Sequence, residues 1–147
     1  MKISTSKIVI SGLAAMFAIS VITAPVSEAA KGTKNGRAAC GEGYKLNKAV
    51  KKNQHGKKSK YVVVEVYEKG TKLCVVSVKT GKGKGKKDKK IGVLMNFEAG
   101  NYHVSDEGKY KYYAGPLKKD VGDGGCITAQ GWYRGDNILL FTACEKF

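Results

Sequence analysis

The chain has 147 residues, with 27 lysines and arginines against 12 acidic side chains and two histidines, a net charge of +15 at neutral pH. This length carries one domain with its own core and not two, and the charge describes a field that draws anionic partners. His55 and His103 lack ligand spacing and there is no Cys-x-x-Cys, so neither a zinc site nor any other metal or cofactor is expected.

The N-terminus reads as an export signal. Lys2 and Lys7 make a positive start, residues 8–24 are mostly apolar, and Ser27, Glu28 and Ala29 bring the small residues that a signal peptidase reads. Residues 1–29 are therefore assigned to a signal peptide, with cleavage after Ala29 or one residue later. A retained membrane anchor is the alternative, since the apolar run approaches spanning length, but Pro25 favours cleavage. The expected product is secreted, with no membrane span left. Residues 30–39, AKGTKNGRAA, show no periodicity and read as a flexible basic arm. Residues 40–147 then form a single all-β domain.

Tyr44, Leu46 and Val50 begin a first strand, and residues 51–59 form a polar loop rich in lysine. Val62, Val63, Val64 and Val66 before Lys69 and Gly70, with Val75, Val76 and Val78 after, predict the central hairpin. A loop of Lys69 and Gly70 would set Val66 opposite Leu73, Val64 opposite Val75, Val63 opposite Val76 and Tyr61 opposite Val78. Both faces are then largely apolar, which places the hairpin in the middle of a sandwich. Residues 81–90, GKGKGKKDKK, read as a solvated, flexible loop that buries nothing. Ile91, Val93, Met95 and Phe97 alternate as one side of a half-buried strand. A short strand through Tyr102 and Val104 follows, Ser105 to Gly108 reads as a turn, and then come residues 110–117, where Pro116 ends or edges the strand.

Asp120 to Gly125 lacks the alternating ligands of a calcium loop and reads as a turn. A strand from Cys126 to Trp132, a turn at Gly135, Asp136 and Asn137, and a last strand from Ile138 to Phe141 complete the chain. No helical periodicity competes beyond residue 29. The expectation is a small antiparallel sandwich or barrel of about seven or eight strands. All four cysteines lie in the exported part, as two disulfides would in an oxidising compartment. Of the three connectivities, Cys40 with Cys74 and Cys126 with Cys144 is favoured, because each pair closes a local loop.

Chemistry is less legible. Glu98, His103 and Arg134 would supply the base, acid and cation of a small secreted ribonuclease. Lys82, Lys84, Lys86, Lys87, Lys89 and Lys90, with the lysines of 51–60, would attract anionic cell-wall or spore polymers, nucleic acid without specificity, or an anionic membrane. Trp132 and Tyr133 beside Arg134, and the tyrosines of 110–113, are candidates to stack on bases or sugars. Arg134, Gly135 and Asp136 also spell the tripeptide that animal adhesion receptors read, a match that three turn residues reach readily by chance.

Four stretches together resemble the spore-associated protein A family of small secreted actinobacterial proteins. They are Cys40-Gly41-Glu42-Gly43-Tyr44; Cys74-Val75-Val76-Ser77-Val78-Lys79-Thr80; Tyr110-Lys111-Tyr112-Tyr113-Ala114-Gly115-Pro116; and the pair Cys126 and Cys144. The resemblance implies an exported bacterial protein of the spore or cell exterior, and it carries over no catalytic residue. The lysine-rich loop is additional to the family pattern and points to a changed anionic partner. The expectation is a non-enzymatic basic surface protein that adheres through lysines; a secreted nucleic-acid-cleaving enzyme and a membrane-active antibacterial protein are the alternatives.

Overall fold

The computed structural model describes residues 32–53, 55–97 and 102–144, so the signal-peptide assignment and Glu98 lie outside the described residues. A helix, α1 (Lys34–Cys40), precedes eight strands: β1 (Lys45–Val50), β2 (Val62–Lys69), β3 (Lys72–Lys79), β4 (Ile91–Phe97), β5 (Tyr102–Gly108), β6 (Tyr113–Asp120), β7 (Cys126–Tyr133) and β8 (Asp136–Cys144). They form two four-stranded sheets, ordered β1-β2-β3-β6 and β5-β4-β7-β8. Every neighbouring pair is antiparallel. An isolated bridge from Asn53 to Ile138 ties the connection after β1 to the edge of the second sheet.

The valine hairpin occupies the centre of the first sheet, as its composition requires. Its loop is Gly70 and Thr71, so the register moves by two places: Lys69 pairs with Lys72, Val66 with Val75, Val64 with Ser77 and Val63 with Val78. A shift of two keeps every side chain on its expected face. Gly70 takes φ 55°, and in a two-residue loop with a glycine first that position needs a positive φ. Val62, Val64, Val66, Leu73 and Val75 face Ile91, Val93, Met95, Ile127 and Ala129 across the sandwich, and all are buried.

The outer face of the first sheet is apolar as well, and α1 covers it. Val63, Tyr67, Cys74, Val76 and Val78 form a second buried cluster with Cys40 of the helix. The Cys40–Cys74 disulfide clamps this helix to β3, and Cys126–Cys144 joins the two strands β7 and β8. Both pairings are those expected.

Residues 34–40 are helical where an irregular arm was expected. Thr33 caps the helix, its Oγ1 accepting from the Gly36 amide at 2.9 Å, and Gly41 ends it with φ 95°. Seven residues that include Asn35 and Gly36 have little helix propensity of their own. Tertiary contact supplies the rest: buried Glu65 accepts from the Thr33 amide at 2.7 Å, from the Thr33 hydroxyl at 3.0 Å and from the Tyr67 hydroxyl at 2.8 Å. A Cβ on Gly36 would lie only 1.9 Å from Glu65 Oε2, so glycine is what lets the helix approach.

Strand boundaries also differ from the expected ones: β5 continues through Ser105 to Gly108, where a turn was expected, because these residues pair with Leu94 back to Ile91 of β4. β6 starts at Tyr113, leaving Tyr110 and Tyr112 exposed in the connection before it, and Pro116 lies within this edge strand, where a missing N–H removes no ladder bond. The last strand spans Asp136–Cys144 and its turn is Arg134 and Gly135, with φ 55° and 82°. Two positive φ values match the twist of a tight hairpin turn.

Candidate functional site

The topology gathers the lysine-rich segments at one end of the sandwich. The start of β2, the end of β3 and the start of β6 meet there, because Val62 pairs with Lys79 and Val78 with Tyr113. The start of β4 and the ends of β5 and β7 meet there in the other sheet, with Ile91 between Gly108 and Tyr133. The segments 51–60, 81–90 and 109–112 therefore share this end. Backbone bonds knit them together: the Thr80 amide donates to the Tyr61 carbonyl at 2.7 Å, and the Gly85 amide to the Lys111 carbonyl at 2.9 Å.

The 81–90 segment is anchored from below, contrary to the expectation that it buries nothing. Gly83 is buried against the Tyr133 ring; a Cβ there would lie 2.4 Å from Tyr133 Cε1. Lys79, buried between the sheets, donates from Nζ to the Lys86 carbonyl at 2.7 Å and sits 4.1 Å from the centre of the Tyr133 ring. Burial lowers its pKa below the usual lysine value. Asp88 closes the anchor by accepting from Arg134 and, at 2.8 Å, from the Tyr133 hydroxyl. The Arg134 guanidinium first, and the Tyr133 hydroxyl second, hold the Asp88 carboxyl well below the ordinary carboxylate range. Glycine keeps this backbone close to the core, while Lys82, Lys84, Lys86, Lys87, Lys89 and Lys90 all remain exposed.

The carboxylates at this end are committed to internal bonds. Asp136 accepts from the Ser59 hydroxyl at 2.5 Å, Asp106 from the Tyr110 hydroxyl and the Gly115 amide, both at 2.7 Å, and Glu107 from Lys90 at 3.0 Å. With Arg134 on Asp88, these pairings leave Lys82, Lys84, Lys87 and Lys89 pointing a positive field outward.

An open cleft of about 1010 Å³ lies at the same end, lined by Tyr61, residues 88–90 and residues 132–137. Of the aromatic candidates, Trp132 is half-buried and lines the cleft. Tyr133 is only 1% exposed, with one side taken by Lys79, so it supports the loop and is not a stacking surface. Burial, followed by its bond to Asp88, raises the Tyr133 pKa. Arg134 and Asp136 are held by Asp88 and Ser59, so the tripeptide is built into the turn.

His103 and Arg134 are not brought together. His103 pairs with Asn96 near the far end of β4, whereas Arg134 follows Tyr133, which pairs with Ile91. Five steps along a strand separate the two positions by roughly 17 Å. Among the described residues no group of three or more His, Cys, Asp or Glu could hold a metal ion, and no helix is long and apolar enough to cross a membrane.

Asp88, Lys79 and Glu107 have structural roles at this end that the sequence did not single out. Asp88 stood as a lone acid among lysines, and its partners Tyr133 and Arg134 are 45 and 46 residues away. Searches against protein-family models, curated proteins and solved structures find no match to the chain.

Proposed function

We propose that this is a secreted, non-enzymatic protein that adheres to anionic polymers of a cell or spore surface through the lysine end of its sandwich. The observation that carries this reading is the convergence of three lysine-bearing segments on one end, where the nearby carboxylates are already bound internally. Two disulfides in a domain of this size suit an oxidising exterior. The resemblance to the spore-associated protein A family supports the same setting.

The sheets act as a rigid carrier, and the work of adhesion is electrostatic. Lysine is a mobile point charge, so the contact is unselective among polyanions and weakens with salt. Each lysine near a polyanionic surface contributes on the order of 1 kcal/mol. Changing Lys82, Lys84, Lys87 and Lys89 to serine is therefore expected to weaken binding to isolated teichoic acid by at least ~100-fold at low ionic strength. Wild-type binding should fall steeply between low and high salt, and the variant's binding only shallowly. Binding of the variant equal to wild type would sink the proposal.

A further inference from the structure

The outer face of the second sheet has a chemistry that the charge of the protein does not foreshadow. Burial alternates along β7, with Ile127, Ala129, Gly131 and Tyr133 inward and Thr128, Gln130 and Trp132 outward. In the neighbouring β4, Gly92, Leu94 and Asn96 lie beside Trp132, Gln130 and Thr128. A chain with 27 lysines and arginines thus leaves the outward positions of its two central strands without a single charge.

Trp132 is mounted on this face as a platform. A Cβ on Gly92 would lie 2.1 Å from Trp132 Cε2 and Cζ2, so the ring rests directly on the glycine backbone. Its Nε1 donates to Glu107 at 2.8 Å, and Glu107 is itself held by Lys90 at 3.0 Å. An indole fixed at one face and one edge is preorganised to stack, because little side-chain freedom remains to be lost. Beside it, Gln130 donates to the Asn137 side chain at 2.8 Å. That bond leaves Gln130 Oε1 and Asn137 Nδ2 to meet an outside donor and acceptor.

We infer that the polymer held by this protein is an acidic glycan whose neutral sugar units lie along β7, stacked on Trp132 and bonded by Gln130 and Asn137, with its acidic groups toward Lys89. The inference rests on the polyanion reading and names its ligand class. Sugars pair an apolar ring face with hydroxyls that both donate and accept, and an indole beside amides matches that combination. A single-stranded nucleic acid needs cations that follow the phosphates along the same track as the stacking rings. Here the track changes from cationic at Lys89 to uncharged from Trp132 through Gln130 to Thr128. A polymer with alternating charged and neutral units fits such a track; a uniform polyanion does not use it.

Trp132 is the sole tryptophan, so its emission reports on the platform directly. The test compares a hyaluronan oligosaccharide, in which uronate alternates with a neutral sugar, with inorganic polyphosphate of equal charge. The expected result is that hyaluronan shifts Trp132 emission and shields it from acrylamide, while polyphosphate binds with the emission unchanged. Trp132→Ala should weaken hyaluronan binding about ten-fold and leave polyphosphate binding intact. Gln130→Ala, which leaves the indole and its bond to Glu107 in place, should weaken hyaluronan binding alone, by a few-fold. If both probes bind while Trp132 stays silent and neither variant discriminates, the glycan inference falls and the polyanion reading stands. If neither probe binds, both are overturned.

Discussion

The two sheets turn similar inner faces to a shared core and differ on their outer ones. The outer face of β2 and β3 is valine, tyrosine and cysteine around a buried Glu65, and a short helix covers it; that of β4 and β7 is glycine, leucine, amide, threonine and tryptophan, and no described element lies over it. The first arrangement stabilises the fold, because apolar surface must leave water. The second keeps a polar surface beside a cationic end, where it is available to a ligand. Substitutions that act on the first face should therefore be felt as stability, and those on the second as binding.

The largest expected effect is loss of the helix clamp. Replacing Cys40 and Cys74 together by serine opens a closure of 34 residues, worth roughly 3 to 4 kcal/mol in the chain-entropy model. Chemical denaturation should show that loss, and the shorter Cys126–Cys144 closure should cost slightly less, about 3 kcal/mol. A clamp loss under 1 kcal/mol would mean that α1 is not a working cover. Glu65→Ala comes next. It strips the acceptor from Thr33 and Tyr67 at a buried site and should cost about 2 to 3 kcal/mol, with the helix signal in circular dichroism lost before the strand signal.

On the other sheet, Gly92→Ala should push the indole off its seat and cost about 1 kcal/mol. Its clearer signature is a red shift of Trp132 emission with near-wild-type stability; an unchanged spectrum would remove the platform from the account. The smallest effect concerns pH. Asp88 has its pKa depressed by Arg134, so its contribution is present above the ordinary aspartate value near 3.9 and is lost as pH falls through the lower folded value. The contribution of Asp88 to the anchor should thus be constant from about pH 5 upward. A carboxyl-carbon NMR titration should place the Asp88 midpoint below the ordinary range, and Arg134→Gln should move it upward.

Much of the fold was legible because it follows local pattern. Alternation at Ile91, Val93 and Met95 identified β4, the valine runs identified the hairpin, and loop closure chose both disulfides. Helix α1 was hidden because its stability comes from Glu65 and Cys74, not from residues 34–40 themselves. The register of the hairpin turned on whether Gly70 takes the first or second loop position, which composition does not settle. The lysine loop was visible as charge, but its anchor depends on Tyr133 and Arg134, far away in sequence. Separation of His103 from Arg134 depends likewise on strand pairing. Trp132 was visible as an aromatic, whereas its seat on Gly92 belongs to a neighbouring strand.

The central claim is that one end of the sandwich, not net charge, holds the polymer. The most direct measurement compares two charge-matched variants in a salt titration of binding to isolated teichoic acid. One carries serine at Lys82, Lys84, Lys87 and Lys89; the other carries serine at Lys45, Lys69, Lys72 and Lys118, all exposed and toward the opposite end of the sandwich. The account predicts that the first variant loses most affinity and salt dependence while the second stays close to wild type. Equal losses from both would show that the protein binds by overall charge and would contradict it.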